Sequence, residues 1–346
     1  MRGRRIICRG PLAFVFACAI PKRTVEPLRT AVSGGQGLGE QTDIASLMRW
    51  DTGETIAPES YARMYAHPRY PDAVRRYARN VLHASERDPS IDGQMKDAGR
   101  AMVGLCAIYL HASGGLTLPR LKTLFARFGL LSPGRVRALL LYLRYLGYVE
   151  LRPLRERGKP ALYLPTGRFF HAYRDLQRSI LDALQVLEPA VGLLLDQFDA
   201  PGVFETYMTL QGDALLDGFR QAHDQTQTPY FRVFLHRHGG ILILHSLLAD
   251  AGDDGFPPEQ PIPFSASAAA RRFRVSRMQV LRLIDAAETE GLLASANGTV
   301  TFTQAGREAV QWNYGTHMIL FLIAAARTLK ARPELMGGAA DAVQVA

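Results

Sequence analysis

Apolar positions recur at helical spacing along most of this chain. Twice, about 140 residues apart, the helical pattern ends at a glycine and gives way to two short strands around a turn. The first copy runs from Ser132-Pro133-Gly134-Arg135-Val136-Arg137 to Leu146-Gly147-Tyr148-Val149, through a basic hairpin, to Leu164-Pro165-Thr166-Gly167-Arg168. The second runs from Ser276-Arg277-Met278-Gln279-Val280 to Glu290-Gly291-Leu292-Leu293, around Asn297-Gly298, to Phe302-Thr303-Gln304-Ala305-Gly306-Arg307.

The pattern around the first copy predicts a buried scaffold helix over 101–112, stopped at Ser113-Gly114-Gly115. A second helix over 119–128 follows, with Thr117 as its cap and proline at its first position, where the missing N–H costs little. Ser132 and Pro133 repeat that start signal for a third helix reaching about residue 146, with Val136, Leu139, Leu140 and Leu143 turned inward. Ala138, Leu141, Tyr142 and Tyr145 fall on its other faces. A helix apolar nearly all round is usually covered by another domain or a second subunit. Strands are expected at 148–151 and 161–164.

Around the second copy the expected elements are a scaffold helix over 241–251, a Pro-rich loop over 253–263, and a short helix over 268–273 capped by Ser265 or Ser267. Ser276 caps the next helix, whose inward stripe is Val280, Ile284 and Ala287. A hairpin over 293–296 and 299–303 turns at Asn297-Gly298, a favoured two-residue turn.

The remaining segments read as helical. Residues 58–83 have the spacing of one or two amphipathic helices, and 88–93 read as a loop. Residues 169–223 form helices broken near Pro189 and at Pro201-Gly202, with Leu181, Leu184, Leu187, Leu193, Leu194 and Leu195 as core positions. A last helix is expected over 312–329, too short and too polar at its ends to span a bilayer. The fold class that results is mainly α with small β-hairpins, in two repeated modules joined by a helical connector. The expected divisions are a disordered leader (1–47), a helical extension (48–95), the first module (96–168), an acidic connector (169–236), the second module (237–312) and a C-terminal helix with a tail (313–346). Arg2, Arg4, Arg5 and Arg9 before an apolar run at 11–20 superficially imitate a signal peptide. The run is too short for a span and lacks a convincing cleavage site, and Met48 is a candidate initiator.

Charge sharpens this picture. The 346 residues carry a net charge of +9, with an isoelectric point near 9.6, and +6 of that surplus lies in residues 1–30. From Lys96 to Arg178 fifteen basic residues face four acidic ones, a local field of the kind that neutralises phosphates. Between Asp182 and Asp224 the sign reverses: eight acidic residues face Arg220 alone. In the second copy Arg271, Arg272, Arg274, Arg277 and Arg282 fall in a stretch free of acids.

These residues make each copy look like a winged helix-turn-helix. Residues 270–293 and 302–307 resemble the MarR-like winged-helix transcriptional regulators, and 132–149 with 164–168 resemble the same superfamily more loosely. The resemblance implies a three-helix core with a wing, duplex DNA as partner, repression or activation of transcription, and a dimer; a tandem chain departs from the one-module subunit and can cover two half-sites alone. In helix-turn-helix docking the leading end of the second helix of the motif enters the major groove, where arginine and glutamine bond purine edges. That assigns base reading to Arg277, Gln279 and Arg282. Phosphate or groove contacts fall to Arg271, Arg272, Arg274, Arg135 and Arg137, and to Arg155, Arg157 and Lys159 on the first hairpin tip.

The expected function is a cytoplasmic, sequence-specific DNA-binding regulator. The alternative is a winged-helix protein-interaction or architectural component of a chromosome or replication assembly. The connector could hold a small-molecule effector pocket or a homodimer interface, and the sequence does not choose. No cofactor is expected. Cys8, Cys18 and Cys106 have neither metal-ligand spacing nor a disulfide pattern, which fits a reducing compartment. His236, His238 and His245 lack a nearby acidic or cysteine ligand, so no metal is assigned. A phosphate-cradling glycine loop and a Gly-x-Ser-x-Gly elbow are both absent, and an enzyme is not expected.

Overall fold

The computed structural model describes residues 43–336 apart from 54–55, 153–157, 222–227 and 253–255. These residues belong to one compact unit. It is mainly helical, with two small antiparallel sheets. Four helices come first: α1 (Ile44–Met48), α2 (Pro58–Ala66), α3 (Tyr70–Arg87) and α4 (Pro89–Gln94). The first repeat is α5 (Ala98–Ala112), β1 (Leu116–Thr117), α6 (Leu118–Phe128), α7 (Pro133–Tyr145), β2 (Val149–Leu151), β3 (Leu162–Pro165) and α8 (Gly167–Leu184). After α9 (Val191–Asp196), α10 (Val203–Gln221) and a π-helical turn (Phe231–Leu235), the second repeat has the same order. It comprises α11 (Gly240–Asp250), β4 (Ile262–Pro263), α12 (Ala266–Arg272), α13 (Arg277–Thr289), β5 (Leu293–Ala296), β6 (Thr299–Phe302) and α14 (Gln304–Ala331).

The repeat extends to single hydrogen bonds. The sheets have orders β1-β3-β2 and β4-β6-β5, so in each a two-residue strand from the helical half pairs with the hairpin's second strand, Leu116 opposite Tyr163 and Ile262 opposite Val300. Gly147 and Gly291 have φ of 72° and 70°, a left-handed backbone that ends α7 and α13 and turns the chain into the hairpin. Thr166 and Thr303 then cap α8 and α14, accepting from the amides of Phe169 (3.3 Å) and Gly306 (3.0 Å). Their hydroxyls donate back to the carbonyls of Gly147 (2.8 Å) and Gly291 (2.5 Å). The Gly…Thr phrase repeated in the sequence is thus a staple between the end of one helix and the start of the next.

Side-chain caps explain the other starts. Thr117, Ser132, Ser265 and Ser276 accept from the amides of Arg120, Arg135, Ala268 and Gln279 at 3.1–3.3 Å. The inward stripes Val136-Leu139-Leu140-Leu143 and Val280-Ile284-Ala287 are buried.

Several expectations need correction. The leader boundary at 47 falls inside α1, where Ile44 and Leu47 are buried in the core and the Ser46 hydroxyl donates to Glu188 (3.1 Å). Residues 88–93 are not a loop: Asp88 accepts from the Ser90 amide (2.7 Å) and Pro89 opens α4. Residues 262–263, read as loop, are β4. The divisions at 168 and 312 fall inside α8 and α14, since α14 begins at Gln304 and runs uninterrupted for 28 residues.

Two helices outside the repeats bind them together. α3 packs against α8 of the first repeat and α11 of the second, and α10 packs against α5 of the first and α14 of the second. One hydrophobic cluster therefore runs through both repeats and the segments around them.

Candidate nucleic-acid interface

The leading ends of α7 and α13 occupy the same position in the two repeats, and the segment 236–238 lies beside both. His236 lines a cleft shared with Ser132 and Arg135 at the start of α7. The carbonyl of His238 accepts from the Gln279 side-chain amide (2.8 Å) at the start of α13. Burial, with Arg100 and Lys96 nearby, holds the His238 imidazole below its ordinary value, although Asp97 and Asp92 oppose it.

At α13, Arg271, Arg274, Arg277 and Arg282 are exposed, and among the described residues none of their side chains makes an ion pair or hydrogen bond. Arg274 sits in the turn between α12 and α13 with φ of 50°, a left-handed conformation that disfavours a side chain by about 1–2 kcal/mol. The helix also carries acidic groups, but Glu288 is turned to the hairpin, accepting from the amide and hydroxyl of Ser295 (2.7 and 2.6 Å). Glu290 is paired with Arg232 (2.8 Å). Asp285 remains exposed on the outer face.

Two residues expected to contact DNA are engaged inside the molecule. Gln279 is half-buried, and its amide bonds His238, 41 positions away, so one of its two N–H groups holds α13 to the preceding segment. Arg272 pairs with Glu86 (2.8 Å) and lies over the Phe273 ring, linking the second repeat to α3.

At α7, Arg137 is exposed, and Arg135 is half-exposed with its guanidinium 3.7 Å from Asp97. Lys159 is exposed beside the hairpin tip; Arg155 and Arg157 lie outside the described residues. The basic surplus of this repeat is partly internal. Lys96 is buried between Asp92 (2.7 Å) and the Phe273 carbonyl. Arg120 donates to the carbonyls of Gly115 (2.6 Å) and Ser113 (2.8 Å), and Arg168 to Leu146 (3.1 Å) and Ser90 (2.8 Å). Arg178 pairs with Asp199 (2.7 Å), so one acid of the connector answers a base of the first repeat. Sequence reasoning missed Arg237, exposed between the two leading ends; its only signal was the basic run His236-Arg237-His238.

The outer face of α7 is largely open, not covered by another part of the described residues. Leu141 and Tyr145 are 43% and 84% exposed, while Tyr142 is partly covered by Gly93 and by the Arg100 guanidinium, 5.2 Å from its ring. Cys106 is buried in α5, and burial pushes its thiol up to about 12. Among the described residues no group of three His, Cys, Asp or Glu side chains is placed to hold a metal ion, and no helix is long and apolar enough to cross a membrane. Comparison of the chain with protein-family models, with curated proteins and with solved structures gave no match.

Proposed function

We propose that the two repeats are winged helix-turn-helix modules and that the chain is a sequence-specific, DNA-binding transcriptional regulator working in the cytoplasm. The observation that carries this reading is the set of four exposed arginines, Arg271, Arg274, Arg277 and Arg282, on and just before a Ser-capped helix whose leading end is open. Arg277 and Arg282 are the base readers on this reading, because their guanidinium donors are uncommitted. Gln279 becomes a support for the helix. Arg271, Arg274, Arg137 and Arg237 are phosphate contacts, joined by Arg135 and by the hairpin tip with Arg155, Arg157 and Lys159. The helix-start amides of α7 and α13 add a favourable field for phosphate.

Binding of the full chain to random duplex DNA across a salt series, followed by selection of the bound sequences, tests the proposal. A steep salt slope with an enriched motif is expected. Replacing Arg277 by alanine should cost about 1–3 kcal/mol and relax one position of the motif, whereas Arg271→Ala should weaken all sequences alike. An unchanged motif and affinity in Arg277→Ala would overturn the recognition assignment.

A second reading, a protein-interaction module, is favoured by Leu141 and Tyr145 on the outer face of α7. A self-association measured by sedimentation and abolished by Tyr145→Arg, together with no DNA binding by the parent chain, would favour it over the first.

A further inference from the structure

Along the outer face of α7, Arg137, Leu141 and Tyr145 follow one another at four-residue steps and Arg144 lies three beyond Leu141, the spacings that make neighbours on a helix. All four are exposed, and Tyr145, at 84%, has its ring almost wholly in water. Tyr142 lies nearly parallel to it, with 6.5 Å between ring centres and 21° between planes. The guanidinium groups of Arg137 and Arg144 make no ion pair or hydrogen bond among the described residues. α7 has no acidic residue, and the elements packed against it, α5, α6 and β2, contribute one, Glu150.

The frame does not call for this stripe. In the second repeat Ser276 and Gly291 stand where Ser132 and Gly147 stand in the first, so Asp285 and Thr289 of α13 correspond to Leu141 and Tyr145 of α7. Both are exposed, and the same capped helix and the same left-handed turn are built with them. Exposed apolar side chains are ordinary when scattered singly. A leucine and a tyrosine side by side between two unpaired arginines, on a helix whose counterpart has an acid and a threonine there, form a surface with its own chemistry.

Size and charge select the occupant. From Arg137 to Tyr145 the stripe is about 12 Å long at 1.5 Å per residue, and one helix wide. A stable protein interface takes about 800 Å² from each partner, far more than this stripe offers. Its length instead matches three or four nucleotides of a stacked strand at about 3.4 Å each. Bases inside a duplex are stacked on one another and offer only their edges in the grooves, so the face of the Tyr145 ring has no partner there. An unpaired base offers its π-face, and the phosphates beside it answer arginines on either side. We propose that the outer face of α7 binds single-stranded DNA, with one base stacked on the Tyr145 ring against Leu141 and phosphates at Arg137 and Arg144. The choice of DNA over RNA rests on the DNA-binding reading; the stacking does not. The second reading gives this same face to a protein, and the test separates the two.

Fluorescence anisotropy of a labelled thymidylate oligomer of about 20 nucleotides, titrated with the full chain across a salt series, is the experiment. Binding that weakens with salt is expected, and Tyr145→Ala should weaken it at least about fivefold at every salt concentration, the low end of what stacking one base contributes. Tyr145→Phe, which keeps the ring, should stay within about twofold of the parent, and so should the affinity of Tyr145→Ala for a hairpin duplex. In Tyr145→Trp, saturating oligomer should quench fluorescence beyond the change seen in the parent, a sign of stacking that charge attraction alone does not give. No binding of the oligomer, equal affinities in the parent and Tyr145→Ala, or no added quenching would each overturn the site. An equal loss on the duplex would overturn the single-strand assignment, and tighter binding of a uridylate oligomer would overturn the choice of DNA. Unchanged oligomer binding in Tyr145→Ala, with loss of a self-association seen by sedimentation, would place a second copy on this face instead. Oligomer binding that responds to Tyr145→Ala, with no duplex binding by the parent, overturns the regulator reading and leaves this site standing.

Discussion

Lys96, just before α5, reaches across to the second repeat, and its removal should show how strongly that contact counts. Its side chain is 5% exposed, and its ammonium donates to Asp92 (2.7 Å, side chain 13% exposed) and to the carbonyl of Phe273, the residue that closes α12. Its own carbonyl accepts from the Gly239 amide (2.7 Å), just before α11. Lys96→Met keeps the aliphatic stem and deletes the charge. Two hydrogen bonds from a charged donor are lost, and the nearly buried Asp92 carboxylate is left without its partner. Breaking one side of such a pair costs about 3–5 kcal/mol, a large part of the roughly 5–15 kcal/mol that holds an ordinary domain folded. Urea denaturation of the full chain measures this directly. Asp92→Asn and the double variant complete a cycle, and the double variant should be less destabilised than the sum of the singles by at least about 1 kcal/mol. On the proposed DNA-binding reading, because Phe273 immediately precedes Arg274, DNA affinity should also fall while the selected motif is retained. A Lys96→Met chain within about 0.5 kcal/mol of the parent, or strictly additive singles, would refute the claim that this buried pair and its contact with Phe273 stabilise the fold.

Two further outcomes follow from burial and close approach. Burial depresses His245 to about 4 from an unfolded value of 6.5, and burial lowers His317 in the same direction. The unfolded chain therefore binds more protons in that interval. Stability should be complete above pH 6.5 and fall as pH drops toward 4, with His245 accounting for up to about 3 kcal/mol, and His245→Phe should flatten the profile measured by denaturation at each pH. A Cβ at Gly306 would lie 1.9 Å from the Leu292 carbonyl oxygen, a backbone atom that cannot step aside, so Gly306→Ala should lower thermal stability by about 3 kcal/mol or more. Gly134→Ala, with open space around its Cβ, should leave it unchanged or slightly raised.

What the sequence disclosed and what it hid differ in range. Caps, staples and inward stripes are local. Ser132 and Ser276 lie three residues from the amides they accept, and Gly147 and Gly291 announce their turns by needing positive φ. A periodic pattern and a few residue types are enough to find them. β1 and β4 are two residues long and carry no alternation; they are strands only because Tyr163 and Val300 lie opposite, 47 and 38 positions later. Glutamine at a helix start suggests purine reading, and nothing within ten residues of Gln279 hints at the His238 carbonyl to which its side-chain amide donates. The pairing of Arg272 with Glu86 and the contact of Lys96 with the Phe273 carbonyl were hidden for the same reason, since those partners are 186 and 177 residues away. A count of charges along the chain cannot separate a cation facing water from one locked into the core.

The two copies share a scaffold but divide their polar residues in opposite ways, and this bears on what each can do. In the first, the hairpin tip carries the basic residues Arg155, Arg157 and Lys159, while the outer face of α7 presents Leu141 and Tyr145 to water. In the second, the hairpin tip is Asn297-Gly298 without charge, and the arginines are on and before α13. Phosphate contacts confer affinity without sequence information, and only groove contacts by uncommitted donors discriminate bases. A basic hairpin beside an apolar helix is therefore suited to holding a backbone or a second protein, and an arginine-bearing helix beside a neutral hairpin is suited to reading. Because α3 and α10 bind both repeats into one body, on the proposed DNA-binding reading a backbone held by the first would set where the second reads. The two copies share their frame, through the same caps and the same glycine-to-threonine staple, and differ in what they expose.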